Sequence, residues 1–340
     1  MLLQAEYGVR LTERQSVIVF DEVQFCPKAR EAIKHLVADG RYDYIETGSL
    51  ISIRDNVKDI LIPSEEHAIS MYPMDFEEFC VAMENAPVID YIRQCFERRQ
   101  PLERSLHNKA MLLYKEYLLV GGMPQSVKAF IDNRQSFEHA DIEKRDILKL
   151  YRNDIGKIEG LYRSKVLGIF DQIPGLLAKH EKRVILSAVS KGSSAEQLRD
   201  AFFWLDDSMI ANECIRCSDP NVGFSLTEDR SSIKCYMGDT GLLVSHAFDE
   251  NELLDEEVYK LILNDKLALN EGMLYENMVA QMLTANGHRL FYYTEYNPDK
   301  HRNDIEIDFL LSSGGKVNQQ VVPIEVKSGK NYQTKSLNRF

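Results

Sequence analysis

The sequence predicts an α/β protein, and three observations predict it. A continuous β-branched and aromatic run, "VIVF" at residues 17–20, is followed by a helical segment and a second short run, "YDYIE", the alternation of a parallel sheet. From Met83 to Leu119 helical periodicity dominates. Beyond Glu271, an amphipathic helix, "EGMLYENMVAQMLTANG", precedes two strands, "EIDFLL" and "VVPIEVKSG". The expected organisation is a partial parallel-sheet core over residues 1–80, a helical region over 81–180, a helix, turn, helix and hairpin over 181–250, and an incomplete α/β domain over 251–340.

The first strand ends in Asp21 and Glu22. Ligands of open α/β sheets bind at the carboxyl ends of strands, so two adjacent carboxylates there suit a magnesium-bound phosphate and an attacking water. "PKAREAIKHLVADG" then reads as a helix, with Pro27 near its start, Ala29, Ile33, Leu36 and Val37 on one side and Gly40 as its stop. The second strand ends in Thr47 and Ser49 around Gly48, and a βαβ connection sets Asp21, Glu22, Thr47 and Ser49 on one rim. By itself, a strand ending in Asp-Glu is common in α/β proteins. The hydroxyl-bearing strand end one unit later is what favours nucleotide hydrolysis.

In the middle of the chain, "YPMDFEEF" sets Asp75 three residues before Glu78, a capping-box pattern that starts a helix after Pro73. "HNKAMLLYKEYLLV" shows Ala110, Leu113, Tyr114, Tyr117 and Leu118 on one face, and "GGMP", from Gly121 to Pro124, breaks the helix. Between Arg183 and Gly241 a helix-turn-helix and the hairpin "GFSLTEDRSSIKCYMGD" outline a winged-helix-like module. Its candidate recognition helix, "SAEQLRDAFFWLDDSMI", carries one arginine, Arg199, among a surplus of acids, which favours packing or a partner protein over DNA.

At the C-terminal end, Glu276 on a helix, Asp308 on a strand and Glu325 with Lys327 on the next strand form the order Glu, Asp, Glu-x-Lys. Carboxylates of this kind, Asp308 and Glu325 above all, offer hard oxygen ligands to magnesium, and the lysine would activate or stabilise the water that attacks a phosphodiester. In the bland reading, "EVK" is an ordinary solvated strand face.

Composition bounds what remains. Net charge is −12, which argues against a surface that binds nucleic acid everywhere. From Glu271 onward, however, eight basic residues (Arg289, Lys300, Arg302, Lys316, Lys327, Lys330, Lys335, Arg339) balance eight acids (Glu271, Glu276, Glu295, Asp299, Asp304, Glu306, Asp308, Glu325). A nucleic-acid or protein partner at the C-terminal half is therefore compatible with charge. The six cysteines are too dispersed for a disulfide framework and read as reduced thiols; "CIRC", Cys214 to Cys217, has metal-ligand spacing but no second pair. No apolar run approaches a bilayer span and no signal peptide opens the chain, so no membrane association and a cytoplasmic location are expected.

Taken together, "VIVFDEVQ", "DYIETGSL", "YPMDFEEF", "YLLVGGMP", "CYMGDTGLL", "EGMLYENMVAQML" and "EIDFLL…VPIEVKSG" resemble prokaryotic AAA-type ATPases of the archaeal-ATPase-like group. Those proteins carry a C-terminal domain of unknown function that resembles the PD-(D/E)XK, or restriction-endonuclease-like, fold. The resemblance implies a P-loop core in which Asp21 organises magnesium and binds the cofactor, ATP, Glu22 polarises the hydrolytic water, and Thr47 or Ser49 acts as sensor. It further implies homo-oligomers whose neighbours complete each site. One departure matters most: no G-x-x-x-x-G-K-[ST] occurs in the 340 residues. Without its backbone amides and lysine nothing cradles the β- and γ-phosphates. The resemblance therefore implies a chain truncated at both ends, unable to bind ATP usefully, with a magnesium-dependent nuclease or nucleic-acid-binding protein as the alternative function.

Overall fold

A computed structural model describes residues 2–48, 67–158, 160, 162–179, 182, 184–185, 195–250, 253–264, 270–299, 302–313, 320–329 and 332–340. The chain divides into two compact units, Met1–Met71 and Tyr72–Phe340. The division falls before the helix of the expected capping box, which lies in the second unit.

In the first unit, α1 (Leu2–Tyr7) precedes β1 (Val17–Phe20), α2 (Pro27–Asp39) and β2 (Asp43–Glu46). The two strands pair in parallel, Val17 opposite Asp43 and Phe20 opposite Glu46. Gly40 ends α2 in the left-handed conformation, φ 66°, that a residue without Cβ adopts at no steric cost. α2 covers one face of the pair, since its Arg30 reaches Glu46 at 3.3 Å and its Ile33 is buried. The opposite face is not buried as the apolar run suggested. Val17, Val19 and Ile45 are 51%, 55% and 51% exposed, because two strands and one helix cover a single face.

The second unit opens with a helical layer: α3 (Phe76–Ala82), α4 (Ala86–Glu97), α5 (Arg104–Val120), α6 (Pro124–Asp132), α7 (Phe137–Gly156) and α8 (Tyr162–Leu177). Asp75 and Glu78 close the capping box at 2.8 and 3.0 Å. Ala110, Leu113, Tyr117 and Leu118 are buried, as their helical spacing requires. Next come β3 (Val184–Ile185), α9 (Ala195–Asp207), β4 (Ala211–Cys217), β5 (Glu228–Met237), α10 (Thr240–Ala247) and α11 (Glu256–Leu263). The chain closes with α12 (Glu271–Ala285), β6 (Leu290–Asn297), β7 (Arg302–Ser313), β8 (Gln320–Ile324) and α13 (Lys335–Arg339).

Six strands form one mixed sheet in the order β3-β5-β4-β6-β7-β8, with β4 and β6 parallel and the other pairs antiparallel. The pairing of β4 with β6 crosses the boundary expected at 250/251. The stretch read as a hairpin, residues 223–239, is instead a short turn (Phe224–Leu226) followed by one strand, β5, which pairs with β3 and β4 inside the sheet that β6–β8 continue. Consecutive residues 232–237 of β5 are all buried, so the strand is covered on both faces. The would-be recognition helix, α9, likewise buries Leu198, Ala201, Phe202 and Leu205, while Arg199 lies near Glu196 at 3.9 Å. In "CIRC", Cys214 and Cys217 are buried and free, Cys217 within a cluster with Ile215, Phe291 and Ile307.

One junction joins four of the sequence segments singled out above. The Gly122 N–H donates to Asp239 Oδ2 at 2.6 Å, and the Leu242 N–H to Asp239 Oδ1 at 2.9 Å, so one buried carboxylate caps α10 and holds the α5–α6 turn. Gln281 of α12 donates to Asp239 at 3.2 Å and to the Tyr117 hydroxyl at 3.0 Å, and that hydroxyl donates to the Met74 carbonyl at 2.8 Å. One turn earlier on α12, Asn277 accepts from the Met237 N–H at 2.8 Å and donates to the Met237 carbonyl at 3.1 Å. These paired bonds fix the rotation of α12 against β5, and with it the direction of Glu276.

Burial of charge in the helical layer has a measurable consequence. Glu116 of α5 is buried, and burial raises its carboxyl from 4.5 to about 7. The folded state therefore holds a proton that the unfolded chain releases between pH 4.5 and about 7, and stability falls as pH rises through that window. Glu116→Gln removes the effect. Urea unfolding across the window should show the variant gaining on the parent by up to about 3 kcal/mol and then running parallel above it. A difference independent of pH would disprove the raised carboxyl.

Candidate functional site

Each unit brings together a set of residues that the sequence had singled out. In the first, β1 and β2 end side by side, and hydrogen bonds extend the register past both ends. The Thr47 N–H donates to the Phe20 carbonyl at 3.0 Å and the Val23 N–H to the Thr47 carbonyl at 2.9 Å. The Thr47 hydroxyl donates to Asp21 Oδ1 and accepts from the Glu22 N–H, the latter at 3.2 Å. Asp21, Glu22 and Thr47 thus share one exposed rim, whereas Ser49 lies outside the described residues. Glu22 is left-handed, φ 54° and ψ 49°, a conformation that costs a non-glycine residue about 1 kcal/mol or more. That residue turns the chain from strand to helix immediately after the aspartate.

The donor set at this rim fits the metal side of a magnesium nucleotide: hard oxygens from a carboxylate and a hydroxyl, open to solvent. A cradle for the phosphates is a different matter, because the 340 residues hold no phosphate-loop motif.

The second set gathers on one face of the six-stranded sheet. Lys234 and Tyr236 alternate with apolar Ile233, Cys235 and Met237 along β5, so both share one side of the strand. The Lys234 ammonium is 3.2 Å from Glu276 Oε1 and 3.3 Å from Asp308 Oδ1, with the Tyr292 ring centroid at 5.2 Å. Lys182 donates to Glu276 Oε2 and, at 3.3 Å, to the Gly272 carbonyl; the Tyr236 hydroxyl donates to Glu276 Oε1. Asp308 Oδ2 accepts from the Val326 N–H at 2.9 Å.

Phe309 pairs with Ile324 at the end of the β7–β8 ladder, so Asp308 and Glu325 are the next residues of the two segments beyond it. Lys327 is two residues past Glu325 and lies 2.6 Å from Glu325 Oε1. The structure thus brings Glu276 to Asp308 through a lysine, and sets Glu325 with Lys327 beside Asp308.

Electrostatics follow from this enclosure. Burial lowers the Lys234 ammonium, but Glu276 and Asp308 outweigh it and hold the amine above its ordinary value, so it stays charged. Burial alone would raise Glu276; Lys234 and Lys182 hold it below the ordinary carboxylate range. Asp308 is raised by burial, offset in part by Lys234. Lys234, Lys182 and Tyr236 were not among the expected site residues. The sequence signal for Lys234 and Tyr236 was "IKCYM", a lysine inside a buried apolar run, where a long cation occurs only with partners.

The AAA domain family matches residues 2–80, a domain of unknown function (DUF8612) matches residues 111–252, and a second domain of unknown function (DUF4143) matches residues 271–340. No curated protein and no solved structure matches the chain. The N-terminal AAA match and the C-terminal DUF4143 match together support an AAA-type ATPase-like protein. Among the described residues, no helix is long and apolar enough to cross a membrane.

Proposed function

We propose that the first unit is the hydrolysis side of an AAA-type ATP site, with Asp21 as magnesium ligand, Glu22 as the group that polarises the attacking water, and Thr47 as sensor. The observation that carries this reading is the Thr47 hydroxyl bridging Asp21 and the Glu22 N–H across the ends of two parallel strands. The AAA match over residues 2–80 supports it. Magnesium-ATP, when bound, supplies the electrophilic γ-phosphoryl group. The chain's own part is positional: Thr47 fixes the Asp21 carboxylate, and the left-handed turn at Glu22 leaves that side chain exposed at the rim. Copies of the chain associating with one another belong to the same reading, since in AAA-type assemblies neighbours complete the site.

By this reading the 340-residue chain has the chemistry of hydrolysis without the means of holding phosphate. Calorimetric titration with ATP and magnesium is expected to show no binding in the micromolar range. Joining an upstream segment that carries a phosphate loop is expected to create slow hydrolysis, which Glu22→Gln abolishes while ATP remains bound. Micromolar, magnesium-dependent binding to the present chain would refute the need for the loop. Unchanged turnover in Glu22→Gln would refute the role of Glu22.

A further inference from the structure

The nuclease resemblance implies a divalent cation at Asp308 and Glu325, with Glu276 beside them, and the residues present do not fit one. Both oxygens of Glu276 are taken, one by Lys234 and Tyr236 and the other by Lys182. Both oxygens of Asp308 are taken, one by Lys234 and the other by the Val326 N–H. Glu325 Oε1 is paired with Lys327, leaving Glu325 Oε2 as the one buried oxygen of the three carboxylates without a hydrogen-bond partner. A hard cation takes about six oxygen ligands, and even magnesium, which keeps several of its waters, needs one or two carboxylates with oxygens open to it. Among the described residues no group of three or more acidic, histidine or cysteine side chains could hold a metal.

The charges also close without a metal. Glu276 and Asp308 supply two negative charges, Lys234 and Lys182 two positive ones, and Glu325 is matched by Lys327. A cation entering between Glu276 and Asp308 would have to displace a fully buried ammonium from two carboxylates and from the face of Tyr292.

We infer that Lys234 is a built-in counter-cation: its ammonium occupies the space between Glu276 and Asp308, and the cluster is a neutral, metal-independent ionic core that ties α12 to β5 and β7. Removing one partner from such a core is costly, because a buried charge is left uncompensated, whereas removing all the charges together is tolerated.

The test is thermal unfolding of the full chain with EDTA or with millimolar manganese, paired with manganese electron paramagnetic resonance. The melting temperature of the parent is expected to be the same in both conditions, with no bound manganese signal. Lys234→Ala is expected to melt about 10 °C lower in EDTA. It leaves two carboxylates around a vacated space, and manganese should return about half of the loss. The quadruple variant Lys182→Met, Lys234→Met, Glu276→Gln, Asp308→Asn removes all four charges of the core and should melt within a few degrees of the parent, indifferent to manganese. The quadruple variant and the parent decide the matter if Lys234→Ala does not fold. The inference is overturned if the parent binds manganese and Asp308→Asn removes that binding, or if the quadruple variant melts as low as Lys234→Ala.

Discussion

Asp239→Ala is expected to lower stability by about 3–5 kcal/mol, the sum of a lost helix cap and two buried backbone N–H groups left without acceptors. Asp239 is the acceptor for Gly122 and Leu242, and for the Gln281 amide of α12. Burial raises its carboxyl, and the donated N–H groups pull the other way, so the folded protein already bears a desolvation cost at neutral pH. Asp239→Asn retains one acceptor oxygen, carries no charge to desolvate, and should lose about 2 kcal/mol or less. Chemical denaturation of both variants beside the parent separates the two effects. Equal losses would mean that a single acceptor oxygen is not enough and that the junction needs the whole carboxylate.

Gly241→Ala is the second large expectation, and its cause is steric. A Cβ at Gly241 would stand 2.3 Å from the Val120 carbonyl oxygen and 2.5 Å from the Gly121 nitrogen, where the start of α10 meets the end of α5. Both obstacles are backbone, so the helix ends must separate. The expected loss is about 3 kcal/mol or more, at or beyond the upper end of usual overpacking costs. Gly156→Ala is a control, since its added Cβ would meet nothing within 4 Å and alanine favours a helix. A Gly241→Ala protein as stable as that control would show that this helix contact is not close in solution.

Both substitutions fall in "GDTGLL", which packs against "VGGMP"; sequence reading could mark the two stretches as distinctive without saying why. The stretches lie more than a hundred residues apart, and the reason for Gly241 is the backbone of the other. Gly121 and Gly122 are likewise explained by distant segments: added Cβ atoms would meet the Asp239 side chain and the Met74 backbone at 2.2 and 2.0 Å.

Signals confined to a few neighbouring residues were legible in the sequence alone. They include the β1–α2–β2 unit with Gly40 as its stop, the Asp75–Glu78 capping box, the buried face of α5, and the β7–β8 hairpin that sets Asp308 beside Glu325. Each depends on a period, a cap or a turn, which are properties of adjacent residues. Two things were decided only in three dimensions. The first is that β4 and β5 continue into the sheet of β6–β8 in place of forming a separate module: a strand's own pattern shows that it is buried, but not what lies beyond its edge. The second is the identity of the charge between Glu276 and Asp308. Carboxylates in the order Glu, Asp, Glu-x-Lys suggest a cation at any distance in sequence. Which cation balances them depends on what the fold carries into the same volume, and that is Lys234, brought there by the alternation of β5 and the rotation of α12.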